Sequence, residues 1–94
     1  MKAYVLIKAR TGEVTSVVRH LHRIKAVRTA EMTFGEFDAI AIIDAGDLEA
    51  MGTVIAAQVQ TIPGILTTTT CLAVEVDGLE KKKKKKKRRR KRRK

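Results

Sequence analysis

The apolar positions of this chain change spacing from segment to segment, and the changes predict six elements. Lys2 to Ala9 (KAYVLIKA) is apolar on both alternating faces, with Ala3, Val5 and Ile7 on one and Tyr4 and Leu6 on the other. A strand buried on both sides has this pattern. Thr11, Gly12 and Glu13 then supply a turn and a helix start without a clean capping box. From Glu13 to about Lys25, Val14, Val17, Val18, Leu21 and Ile24 recur at intervals of three and four, one face of a helix, with Arg19 and Arg23 opposite. A second strand is expected at Ala26 to Phe34 (AVRTAEMTF) and a third at Asp38 to Asp44 (DAIAIID). Gly35 and Glu36 lie between them, and this is a hairpin signal because glycine tolerates the positive φ of a tight reversal. Asp47 is a favoured N-cap for a second helix whose stripe is Leu48, Met51, Ile55, Val59 and Ile62, ended by Pro63 and Gly64. Ile65 to Val76 (ILTTTTCLAVEV), rich in β-branched residues, is the last strand.

The order strand, helix, strand, strand, helix, strand specifies an α+β fold, the ferredoxin-like βαββαβ plait. Right-handed crossovers put both helices on one side of a four-stranded antiparallel sheet. The other sheet face must then carry either Tyr4 and Leu6 or Ala3, Val5 and Ile7, with Leu66, Leu72 and Val74 or their alternates beside them. A solvated sheet face reads as polar. This one is apolar, so it is expected to pack against a second copy as a two-fold homodimer, a dimeric α/β barrel. The outer face of the second helix (Ala50, Thr53, Val54, Ala56, Ala57, Thr61) is nearly chargeless, and a partner subunit is expected to cover it as well.

Charge divides the 94 residues in two. Residues 81–94 are fourteen consecutive Lys or Arg, against seven Lys or Arg and ten Asp or Glu in residues 1–80, a net charge of −3 for that part. We therefore expect a folded domain over 1–78 and a disordered polybasic tail over 79–94. The tail, with Lys81, Lys82, Lys83, Arg88, Arg89 and Arg90, has the composition for salt-sensitive, sequence-blind contact with DNA or RNA. A solvated appendage, and a cloning junction at Leu79-Glu80, are the competing readings. Cys71 is the only cysteine. That excludes an internal disulfide and a cysteine-built zinc site, and Cys71 is expected to be a small buried residue on a strand. No apolar run approaches the roughly 20 residues of a membrane span, and the run Ala3 to Ile7, closed by Lys8, is too short for a secretion signal. A cytoplasmic location, no membrane contact and no cofactor are expected.

An enzyme needs a converging set of acid, base or metal ligands. His20, His22 and Asp38 are the candidates, and two histidines two apart on a helix point about 200° from each other. No catalytic residue is assigned, and a small dimeric barrel enzyme remains a weaker alternative.

The hairpin Phe34-Gly35-Glu36-Phe37-Asp38, the strand after it, and the ending Ile62-Pro63-Gly64-Ile65-Leu66-Thr67-Thr68-Thr69-Thr70 resemble the effector-binding domain of the Lrp/AsnC family of transcriptional regulators over residues 2 to 76. The resemblance implies a plait that dimerises through its sheets, assembles into an octamer or similar ring of dimers, and binds small effectors, usually amino acids, in clefts between dimers. Family members normally begin with a helix-turn-helix domain. Here Met1 is followed at once by the first strand, so a stand-alone effector domain is expected, with no recognition helix to enter a major groove.

A free amino acid needs a carboxylate for its ammonium and N–H or hydroxyl donors for its own carboxylate. Asp38 is a candidate for the first role, the backbone around Gly35 and Glu36 for the second, and Thr68 or Thr70 for further bonds. The resemblance places ligand contacts at Gly35, Glu36, Phe37, Asp38, Thr68 and Thr70. Gly35 and Asp38 also suffice to build a hairpin, and threonines suit a strand, so both readings stand.

Overall fold

The computed structural model describes residues 1–76. It contains strand β1 (Lys2–Ala9), helix α1 (Val14–His22), strands β2 (Val27–Met32) and β3 (Ala39–Asp44), helix α2 (Leu48–Val54) and strand β4 (Ile65–Leu72). The expected Lys81–Lys83 and Arg88–Arg90 contacts, and the boundary at residue 78, lie outside the described residues.

The four strands form one antiparallel sheet in the order β2-β3-β1-β4, the order of the ferredoxin-like plait. The two apolar strands β1 and β3 occupy the centre. Their register pairs Ala3 with Ile43, Val5 with Ala41 and Ile7 with Ala39, all six of them fully buried on the helix side. Val17, Val18 and Leu21 of α1 and Met51, Ile55, Val59 and Ile62 complete that core. This decides the choice of faces. Tyr4 and Leu6, opposite Ile42 and Ile40, form the face without helices. Leu6, Ile40 and Ile42 are half-buried and Tyr4 is 37% exposed.

Several boundaries differ from those predicted, each for a local reason. α1 ends at His22 because the chain tightens there, Arg23 N–H donating to the His20 carbonyl and Ile24 N–H to that of Leu21. Thr33 N–H donates to the Asp38 carbonyl at 3.0 Å, which closes the β2–β3 connection and leaves residues 33–38 outside both strands. β4 stops at Leu72, well before Val76, since its partner β1 begins at Lys2 and the last bond runs from Ala73 N–H to the Lys2 carbonyl. Asp47 caps α2 as expected, its Oδ1 accepting from Ala50 N–H at 2.8 Å. Beyond Val54 the helix widens into a π-helical segment, Ile55–Val59, with Gln60 N–H donating to the Ile55 carbonyl. Ile55 and Val59 of this segment are both buried. Leu48, at the head of the predicted stripe, is exposed. Of the face expected to meet a partner subunit, Ala50, Thr53, Ala56, Ala57 and Thr61 are exposed in the single chain, while Val54 is half-buried against the core.

Cys71 is exposed, contrary to the expectation of burial. It sits on edge strand β4 opposite Tyr4, hence on the face the helices do not cover. Because the core is carried by the centre of β1 and β3, Ile43→Ala should cost about 2–5 kcal/mol. Leu48→Ala, at an exposed site, should cost under about 0.5 kcal/mol. Urea unfolding of both variants checks the pair; equal losses would contradict this placement of the core.

Candidate functional site

The predicted hairpin residues lie at one end of the sheet. Gly35 adopts φ +129°, a backbone region that disfavours any residue with a Cβ, with open space around it. Thr33 Oγ1 donates to the Phe37 carbonyl at 2.7 Å, bracing the loop from inside. Phe34, Gly35 and Glu36 are exposed, while Phe37 and Asp38 are half-buried. The Lys8 ammonium stands 5.8 Å from the centre of the Phe37 ring, a cation–π contact that joins the loop to β1.

The Asp38 carboxylate is already engaged. Its Oδ2 accepts from Ala9 N–H at 2.8 Å, and Asp38 N–H donates to the Ile7 carbonyl at 2.8 Å.

Thr68 pairs with Ile7 from the other side of β1. Asp38 and Thr68 therefore flank one residue of β1 on opposite sides, roughly 10 Å apart as two strand spacings. Thr70 pairs with Val5, one alternation further from the hairpin. Thr68 and Thr70 share the helix side of β4 with their partners Ile7 and Val5. The chain thus brings the hairpin and Thr68 to the same sheet end, with β1 between them and Thr70 set back.

A recess of about 410 Å³ opens beside Thr68, lined by Gln60, Ile65, Leu66 and Thr67. Gln60 Nε2 donates to Thr68 Oγ1 at 3.3 Å. Sequence reasoning missed Gln60. Its only signal is position, one residue past the widened helical turn and just before Pro63-Gly64. A larger cleft, about 1050 Å³, lies at the far end of the sheet beside Tyr4, Leu72, Val74 and the Arg28–Asp44 ion pair (2.6 Å). Nothing in the sequence pattern pointed to it.

The histidines do not join the hairpin. His20 Nδ1 donates to the Ser16 carbonyl and His22 Nε2 to the Ala30 carbonyl, each at 2.9 Å. Among the described residues no three His, Cys, Asp or Glu side chains stand close enough to hold a metal ion, and no helix is long and apolar enough to cross a membrane.

A family model described as the Lrp/AsnC ligand binding domain matches residues 2–85. The chain belongs to the Lrp/AsnC family. The Lrp/AsnC domain here is similar in structure to the crystal structure of FFRP-DM1, with 25% identity, 78% of this chain and 97% of that chain covered, and a TM-score of 0.75. It is also similar in fold to AsnC of E. coli, at 19% identity with 81% of this chain and 52% of that one covered and a TM-score of 0.76. A third neighbour is a transcriptional regulator of Neisseria meningitidis solved as its L-Met complex, at 12% identity, coverage of 81% and 51%, and a TM-score of 0.72. No curated protein matches significantly. The chain thus spans about half the length of the last two structures and nearly all of the first.

Gly35→Ala should destabilise the domain by about 1–3 kcal/mol through backbone strain alone, since an added Cβ meets nothing within 4 Å. Gly46→Ala, equally open and without positive φ, should stay within about 0.5 kcal/mol of the parent. Thermal unfolding of the two compares them, and a Gly35→Ala variant as stable as Gly46→Ala would contradict the strained hairpin.

Proposed function

We propose that this chain is a non-catalytic effector-binding module that binds a free amino acid and answers by changing its state of assembly. The match of residues 2–85 to the Lrp/AsnC ligand binding domain carries the reading. The L-Met complex of the Neisseria regulator supports an amino acid as the ligand class. In this reading the hairpin Gly35, Glu36, Phe37 and Asp38, together with Thr68 and Thr70, forms one wall of a cleft, and a neighbouring dimer supplies the other. The hairpin, held in place by Asp38, offers backbone N–H groups and the free Glu36 carboxylate, and β4 offers hydroxyls, the complement of a zwitterion.

The uncovered sheet face of Tyr4, Leu6, Ile40 and Ile42 makes the two-fold dimer, and dimers then close into a ring. Ligand in the cleft shifts the association of dimers only by binding one assembly state more tightly than the other.

The test is calorimetry with the twenty proteinogenic amino acids, with the mass of the assembly measured by light scattering on the same samples. At least one amino acid should give heat and change the mass. Absence of both for all twenty would overturn the reading. Ile42→Lys places a charge at the centre of the uncovered face and should reduce the assembly to monomers; a variant of unchanged mass would contradict dimerisation through that face.

A further inference from the structure

The attachment of the hairpin to β1 assigns Asp38 a role other than pairing with a ligand. The ladder of β1 with β3 ends at the pair Ile7 and Ala39, so β3 itself offers Ala9 no partner. Ala9 is nevertheless buried at 7% exposure, so its N–H needs a partner from within the protein. Asp38 supplies it. The Asp38 N–H bonds the carbonyl of Ile7, at the end of that ladder, and the Asp38 carboxylate takes the N–H of Ala9, beyond it, both at 2.8 Å. The Asp38 carbonyl, in turn, accepts from Thr33 N–H and closes the loop. Main-chain N–H, main-chain carbonyl and one carboxylate oxygen of this residue are all engaged, and residues 34–37 hang from it.

Such a role needs an acceptor oxygen and no net charge. The other hairpin carboxylate, that of Glu36, is exposed and makes no hydrogen bond or ion pair among the described residues.

We propose that Asp38 is a positioning residue, its side chain standing in for the ladder acceptor that β3 no longer provides, and that Glu36 is the hairpin carboxylate that meets the ammonium of the ligand. The second half rests on the proposed function; the first does not. The two carboxylates then divide the work, with Asp38 fixing where the loop stands and Glu36 setting preference for a cationic group.

Three variants separate the roles: Asp38→Asn, which keeps an acceptor oxygen, Asp38→Ala, which removes it, and Glu36→Gln. Hydrogen exchange at the Ala9 amide reads the clamp directly. Calorimetry reads binding, with L-methionine as the first probe and then the other amino acids. Asp38→Asn should leave both within about threefold of the parent, while Asp38→Ala should speed Ala9 exchange roughly tenfold, as expected when a buried N–H loses its acceptor. Glu36→Gln should keep Ala9 protected and weaken binding at least about tenfold, the loss typical of a charge-assisted bond.

The positioning role is overturned if Asp38→Asn loses protection or affinity as Asp38→Ala does, or if Ala9 exchange is unmoved by Asp38→Ala. Parent-like affinity in Glu36→Gln overturns its assigned role. Asp38→Asn decides even where Asp38→Ala is too unstable to measure. If no amino acid binds the parent protein, the ligand reading fails by itself, and Ala9 exchange still decides the role of Asp38.

Discussion

Two helices can cover only one face of a four-stranded sheet, and the central strands of this sheet are apolar on both. Ala3, Val5, Ile7, Ala39, Ala41 and Ile43 satisfy the helix side completely. Tyr4, Leu6, Ile40 and Ile42 on the other side stay half-buried or exposed. Completing the burial of four such side chains is worth roughly 1 kcal/mol each, given about 1.5–3 for full burial. That sum is comparable with the stability margin of a small domain, about 5 kcal/mol at its lower end. Under the proposed dimerisation through this face, folding and association are linked, in keeping with the absence of charge at its centre.

The same two strands place the site. β1 is paired on both edges, by β3 and by β4, so whatever leaves β3 at its start and whatever enters β4 at its start arrive at one end of the sheet. The hairpin comes from the first and Thr68 from the second. Their separation is set by backbone spacing, and the loop's position is set by bonds to Ile7 and Ala9. The proposed ligand cleft rests on a central strand whose neighbours are locked on both sides.

Much of this was legible in the residues. Two-residue alternation fixed β1 without error, the Val17, Val18, Leu21 stripe gave α1, and the glycine with its neighbouring acids gave the hairpin. What stayed hidden depended on pairing partners. Cys71 has the composition of a buried strand residue, and its exposure follows only from its place opposite Tyr4 on an edge strand. The early end of β4 follows from where β1 begins, and the use of Asp38 as a main-chain acceptor follows from where the β1–β3 ladder stops, which no local pattern announces. Gln60, one residue past the widened helical segment, bonds Thr68 across elements, a contact equally absent from the local pattern.

In the proposed assembly the uncovered sheet face is an interface between copies. Cys71, the chain's single cysteine, lies on that face and is exposed in the isolated protomer, so the rate of its alkylation reports whether the face is open. Measured over a range of protein concentrations, alkylation should slow as the protein is concentrated and copies close over Cys71. A rate independent of concentration and as fast as that of a free thiol would contradict the account.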